Sequence, residues 1–343
     1  MRKLRILLLM HEHLVPPDTD EGLTEDEIMM SQMERWVLST LQEAGHDVQW
    51  LGLADELGPI RAAIEEHRPH VAFNMLTYFH NVASYEAHVV SYLELLKQPY
   101  TGCNPRGIVL AGDKALSKKI LTYHRIPCPQ FAVFRQGCRK PRLPARMSYP
   151  VIVKSIIEQG SAGISQASVV RDDEGLEERV ELMHRTQGTD AIAEQFIEGR
   201  ELTVSVLGNE RLETFPPWEL FFDNLPERSA AIATSRVKWD LRYAKRIGVR
   251  NGPAVDLDPA AKRRIAHVAK RTYRALDISG CARIDMRMDA EGRIYVLEAN
   301  PNPDLTPGED FAESAKATGL EYPELLHRLV NLGMRYKSAW KVE

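Results

Sequence analysis

The chain has 343 residues, 44% of them hydrophobic and 27% charged, with a formal net charge of -4. That length calls for two or three packed lobes, and the mild acidity gives nucleic acid no footing as a partner. No segment reaches the roughly 18 to 20 apolar residues of a membrane-spanning helix, and four cysteines without metal-ligand spacing read as reduced thiols of a cytoplasmic protein.

Cations precede the apolar run at residues 4–10, as in a signal peptide. The run is too short for one, and His11-Glu12-His13 follows it, so a first buried strand is expected. A polar loop with Pro16, Pro17, Asp18 and Asp20 comes next. The capping-box pattern Thr24-Glu25-Asp26-Glu27 predicts a helix over residues 24–44, stopped by Gly45. Strands are expected over 48–53 and 69–75. Strands alternating with helices imply βαβ units, and hence a doubly wound, Rossmann-like N-terminal lobe over residues 1–112. In such lobes ligands gather beyond the C-terminal strand ends, so the loops starting at His11 and Asn74 should border the site.

A central region, 113–197, is expected to hold a helix over 114–124, strands over 131–134 and 151–154, and a Gly/Ser loop over 159–165. The last region, 198–343, opens with an alternating run over 201–207, which reads as a half-exposed strand. Asp258-Pro259 supplies an N-cap and a first-turn proline for a helix to about 276. Strands over 282–288 and 294–298 form a hairpin through Asp289-Ala290-Glu291-Gly292, and helices near 309–318 and 323–336 close the chain. The fold class is α/β, with α+β lobes after the first.

Three features carry chemistry. In the hairpin, alternation puts Arg283 and Asp285 on one face, and the partner strand brings Glu298 and Asn300 to it. Two carboxylates and an amide oxygen suit magnesium, which takes hard oxygen ligands, and Arg283 would face a developing anion. A surface hairpin with ordinary salt bridges fits the same residues. The second feature is Val151-Ile152-Val153-Lys154 opening onto Gly160-Ser161-Ala162-Gly163, where small residues let backbone N–H groups approach phosphate and Lys154 adds charge. A flexible surface loop is the other reading. The third is Glu194-Gln195-Phe196-Ile197 before Glu201, a strand end able to meet an adenine edge and ribose hydroxyls.

In this order the features resemble the ATP-grasp superfamily, specifically its D-alanine–D-alanine ligase branch. The likeness runs from Gln98-Pro99-Tyr100-Thr101-Gly102 and Gly112-Asp113-Lys114 to the C-terminal helices. It implies that Lys114 and Lys154 contact ATP phosphates, that Glu194, Gln195, Phe196 and Ile197 hold adenine, and that Glu201 binds ribose. Gly160, Ser161, Ala162 and Gly163 would form a flap. Asp285, Glu298 and Asn300 would bind Mg2+, two ions with Mn2+ as an alternative. Arg283, Lys238 and Ser161 are the catalytic candidates. The implied reaction joins a carboxylate to an amine through an acyl phosphate, on small-molecule amino-acid or amine substrates, in a protein that dimerises through its first lobe. Glutathione-synthetase-like ligation, amino-acid addition to a protein tail, and a nucleotide-binding regulator without turnover are the alternatives.

After Asn300 the family places a small residue, Gly and Ser, whereas this chain has Pro301-Asn302-Pro303-Asp304 and then Glu309-Asp310. Acids there would repel a second carboxylate, so an acceptor other than D-alanine is expected, with Glu12, Asn302, Asp304 and Glu309 as substrate contacts. Alternatively Asp304 caps the following helix, with Glu309 and Asp310 in its first turn.

Overall fold

The computed structural model describes residues 3–17, 19, 22, 24–158, 160–227 and 229–341. The first lobe contains β1 (Arg5–His11), α1 (Glu25–Met30), α2 (Gln32–Glu43), β2 (Asp47–Leu53), α3 (Gly58–His67) and β3 (Val71–Asn74), then α4 (Glu86–Leu95) and α5 (Pro105–Gly112). Its three strands are parallel, in the order β2-β1-β3. Alternation along β1 divides two cores: Ile6, Leu8 and Met10 pack with Val37 and Leu41 of α2, while Leu7 and Leu9 pack with Ile60 and Val90 on the other face. The predicted helix over 24–44 is two helices, because Ser31 leaves helical geometry at φ -102, ψ 16. Its capping box forms as read, with Thr24 and Glu27 exchanging bonds.

The central part contains α6 (Lys114–Tyr123), β4 (Phe131–Phe134), β5 (Val151–Ser155), β6 (Val169–Val170), α7 (Asp173–Gln187) and β7 (Ala191–Gln195). Its strands form an antiparallel sheet ordered β4-β7-β5-β6, with Leu176, Val180 and Met183 of α7 in its core.

The last part contains β8 (Arg200–Leu207), β9 (Glu213–Thr214), β10 (Trp218–Phe222), α8 (Ser235–Trp239), α9 (Leu241–Arg246), β11 (Val249–Pro253), α10 (Pro259–Ala275), β12 (Cys281–Met288), β13 (Ile294–Asn300), α11 (Asp310–Lys316) and α12 (Tyr322–Arg335). The strands run β11-β10-β8-β12-β13, with β9 paired to β8. β8 is therefore interior, and residues 204–207 are buried instead of half exposed. Ile265, Ala269 and Tyr273 of α10 cover one face. Phe311 and Ala315 of α11 cover the other and join Leu325 and Leu329 of α12 in the core that holds Ile6 and Leu8. The chain end thus closes the core opened by the first strand. Cys103 and Cys281 are buried free thiols in these cores, and burial pushes the Cys281 thiol up to about 12. No helix among the described residues is long and apolar enough to cross a membrane.

Candidate functional site

A cleft lies between the two antiparallel sheets. Ile152, Lys154 and residues 194–197 line one wall, while Glu201, Asp285, Arg287, Leu297 and Glu298 line the other. Lys114, Ser161, Ile164, Ile232 and Lys238 also face it.

The second wall follows from strand register. On β12, Arg283 pairs with Asn300, Asp285 with Glu298, and Arg287, across on β8, with Glu201. Alternation then brings Arg283, Asp285, Arg287, Glu298 and Asn300 onto one face. A bulge breaks the ladder after Asp285, leaving Leu297 unpaired on β13. Its carbonyl accepts from Lys118 Nζ at 2.5 Å.

Arg283 forks onto Asp285 at 2.7 and 2.9 Å and lies 3.5 Å from Asp310. Burial works against its charge, but Asp285 and Asp310 hold its pKa well above the ordinary value. Asn300 Nδ2 donates to Asp285 at 3.0 Å. Burial, with Glu298 and Asp310 adding like charge, pushes the Asp285 carboxyl up against the pull of Arg283. Glu298 goes the other way: burial raises it, but Lys114, Lys154, Lys238 and Arg283 together bring it to about 2. Its Oε2 stands 3.4 Å from Lys114 Nζ.

Lys154 lies 3.1 Å from Glu194, and Lys118 lies 3.3 Å from the same carboxylate. The Glu194 side chain is wholly buried, held below the usual carboxylate range by the two lysines against the effect of burial. Burial lowers Lys118 against the pull of Glu194, while Glu194 and Glu298 raise Lys154 against burial. The Glu194 carboxylate thus anchors two lysines where its strand borders the cleft.

One arginine and one lysine outside the sequence reading complete the picture. Arg287, 3% exposed, donates to the Ile197 carbonyl at 2.9 Å and to Glu201 at 2.7 Å, with its guanidinium 5.2 Å from the centre of the Phe196 ring. Lys118 is the other missed residue. Its signal was a lysine four positions after Lys114, on the same helix face, and that of Arg287 was continued alternation after Arg283 and Asp285.

The loop over the cleft contains three left-handed residues, Gly160 (φ 65), Ser161 (φ 61) and Gly163 (φ 69). Ala162 lies among them, and Gln159 is outside the described residues. Ser235 at the start of α8 donates its hydroxyl to Ser161 O at 2.5 Å and its N–H to Ile164 O at 2.9 Å. Arg179 of α7 donates to the Gly163 carbonyl. The loop is therefore tied down on both sides, beside Lys238.

The candidate substrate residues divide. Glu12 is exposed on the turn after β1 and does not line the cleft. Asn302 donates to the buried Glu86 at 2.6 Å and to Leu76 O at 3.2 Å. Asp304 is not a helix cap: its carboxylate accepts from the Thr306 N–H at 2.8 Å and hydroxyl at 2.6 Å, and α11 starts only at Asp310 with Glu309 before it. Partial burial, with Asp304 and Asp310 nearby, raises the Glu309 carboxyl. Asp310 is 4% exposed, and its Oδ1 has no hydrogen-bond partner among the described residues.

Among the described residues no group of three or more His, Cys, Asp or Glu is placed to hold a metal. The set at the hairpin has two carboxylates and an amide. Their hard oxygens and shared face fit an ion that takes its remaining ligands from phosphate and water.

The model of the D-ala D-ala ligase C-terminus matches residues 120–331. A D-alanine–D-alanine ligase from Pelotomaculum thermopropionicum is 30% identical over 280 residues, 79% of this chain and 82% of that one. Another, from Desulforudis audaxviator, is 28% identical over 313 residues, 91% and 95% of the two chains. The crystal structure of the Bacillus anthracis D-alanine–D-alanine ligase complexed with ATP aligns with a TM-score of 0.72 at 21% identity, covering 98% of both chains. The chain belongs to the D-alanine–D-alanine ligase family and is an ATP-grasp ligase of the class that forms carbon–nitrogen bonds.

Proposed function

We propose that the cleft binds ATP and that the protein uses it to activate a substrate carboxylate as an acyl phosphate, which an amine other than D-alanine then captures. The convergence of Lys114, Lys154 and Lys238 on Glu298 carries this reading. Three cations around one carboxylate supply the charge balance that a polyphosphate needs, in a site shielded from water.

Adenine lies along residues 195–197, braced from behind by Arg287, and Glu201 meets the ribose. Lys114 and Lys154 neutralise the phosphates, with Lys154 kept charged by Glu194. The flap at 160–163 excludes water from an intermediate that water would hydrolyse. Asp285, Glu298 and Asn300 would hold magnesium, which supplies Lewis-acid polarisation of the transferring phosphoryl group. Arg283, fixed by Asp285, steadies the oxyanion formed when the amine attacks. Asp304, Glu309 and Asp310 crowd negative charge where a second carboxylate would sit, which favours an amine without one, or a cationic amine.

The three sheets support a division into an N-terminal domain (1–112), a central ATP-grasp subdomain (113–197) and a C-terminal one (198–343). ADP release from ATP tests the reading. Lys154→Ala and Glu298→Gln should each abolish release that depends on magnesium and amino acid. Wild-type turnover in both variants would refute the assignment of the cleft.

A further inference from the structure

A second concave site lies away from the nucleotide cleft. The floor is the end of β8 and the turn after it, Leu207, Gly208 and Arg211 through Thr214, and the walls come from α10 and α12. It is an open groove and shares no lining residue with the proposed nucleotide cleft. Glu201 and Leu207 mark opposite ends of β8, roughly 20 Å apart at strand rise.

Four cations line it, Arg211, Lys270, Arg328 and Arg335, against a single acid, Glu213. Glu213 is taken by Arg328 at 2.7 Å. Arg211, Lys270 and Arg335 have no carboxylate partner among the described residues. Three uncompensated charges thus converge from three separate elements in a chain of net charge -4. The support beneath them is rigid. Tyr273 of α10 donates to Gly208 O at 2.7 Å, and Asn209 donates to Leu332 O of α12 at 3.1 Å while accepting from Gly280 N–H at 2.9 Å. The turn that leads to Arg211 is pinned to both walls at Gly208 and Asn209.

We propose that this cleft binds a multiply charged phosphate-bearing small molecule, separately from ATP. Phosphate oxygens meet the guanidinium forks of Arg211 and Arg335 and the ammonium of Lys270. Leu212 and Leu332, also in the lining, take any apolar part.

The test is calorimetric titration of the full chain with two probes, inorganic pyrophosphate and glycerol 3-phosphate. The variants are Arg211→Gln with Arg335→Gln, Lys270→Gln alone, Lys154→Ala in the nucleotide cleft, and Arg263→Gln with Arg264→Gln as a charge-matched control. Thermal unfolding checks that each is folded. At least tenfold weaker probe binding is expected in the Arg211/Arg335 and Lys270 variants, with KM for ATP unchanged, and with this binding kept in the Lys154 and control variants. Tighter pyrophosphate would mark a free inorganic anion as the ligand, and tighter glycerol 3-phosphate a phosphate ester. Absence of any binding, loss of all binding in the Lys154 variant, or equal weakening in the control would overturn the proposal.

Discussion

Lys118 Nζ lies 3.3 Å from Glu194 Oε1, and both side chains are at 0% exposure. The pair is completed by Lys154, which shares the carboxylate from the cleft side at 3.1 Å. Two lysines on one buried acid leave a net positive charge facing the cleft, and the Leu297 carbonyl released by the β13 bulge takes up the Lys118 ammonium.

Removing Lys118 tests that arrangement. Lys118→Met leaves Glu194 to Lys154 alone and should cost about 3 to 5 kcal/mol of stability, as when one partner of a buried pair is lost. Lys154 would turn toward Glu194, so KM for ATP should rise more than kcat falls. Denaturant unfolding and steady-state kinetics read the two effects. An unchanged KM would separate Lys118 from the cleft.

Arg283 makes a different prediction. Its side chain is fixed by Asp285, and in the proposed mechanism it meets the oxyanion, so Arg283→Met should act on the chemical step. A loss of about 100- to 1000-fold in kcat is expected, the usual effect of deleting one oxyanion donor, with little change in KM for ATP. Kinetics dominated by a rise in KM would assign Arg283 to nucleotide binding instead.

Stability should fall as pH rises through neutrality. Burial, with Asp304 nearby, raises Glu34 from 4.5 to about 7, and burial raises Glu86 from 4.5 to about 8 despite its bond to Asn302. A carboxyl whose folded pKa is raised stabilises the fold below its unfolded pKa and loses that contribution as pH climbs through the folded value. The window therefore runs from about 4.5 to 8. Glu34→Gln should flatten the decline by on the order of 3 kcal/mol, from 1.36 kcal/mol per pKa unit. Denaturant unfolding at pH 5, 6, 7 and 8 measures it, and an identical slope in wild type and variant would contradict the prediction.

The acidic loop can be tested by exchange. Asp304→Gly with Glu309→Ser removes two of the three acids and should improve use of D-alanine as acceptor by tenfold or more in kcat/KM. Competition between D-alanine and an amine lacking a carboxylate, scored by product mass, reads the preference. If the ratio does not move, charge at this loop does not select the acceptor.

Much of the candidate cleft was legible because it sits on strands, where period two fixes which residues share a face. Arg283, Asp285, Glu298 and Asn300 came together for that reason. Arg287 obeyed the same rule one step further and was passed over because an arginine at that spacing also reads as solvent-facing. Lys118 was hidden for the opposite reason: lysine in an amphipathic helix is normally exposed, and only the tertiary carboxylate of Glu194 explains its burial. The loop after Asn300 resisted reading because it has no period. Whether Asp304 caps a helix or closes its own turn on Thr306 depends on where α11 begins, five residues later than a cap at that position would require. The break at Ser31 was likewise invisible, since serine is tolerated within helices and the apolar pattern runs through it.

The most direct test is mass spectrometry of products from ATP, magnesium and a broad panel of amino acids and amines, with ADP followed in parallel. ADP should be released in step with a new amide whose mass is that of a carboxylic acid plus an amine less one water, and whose amine is not D-alanine. D-alanyl-D-alanine as the main product would contradict the acceptor assignment, and absence of ADP release across the whole panel would contradict the account at its centre.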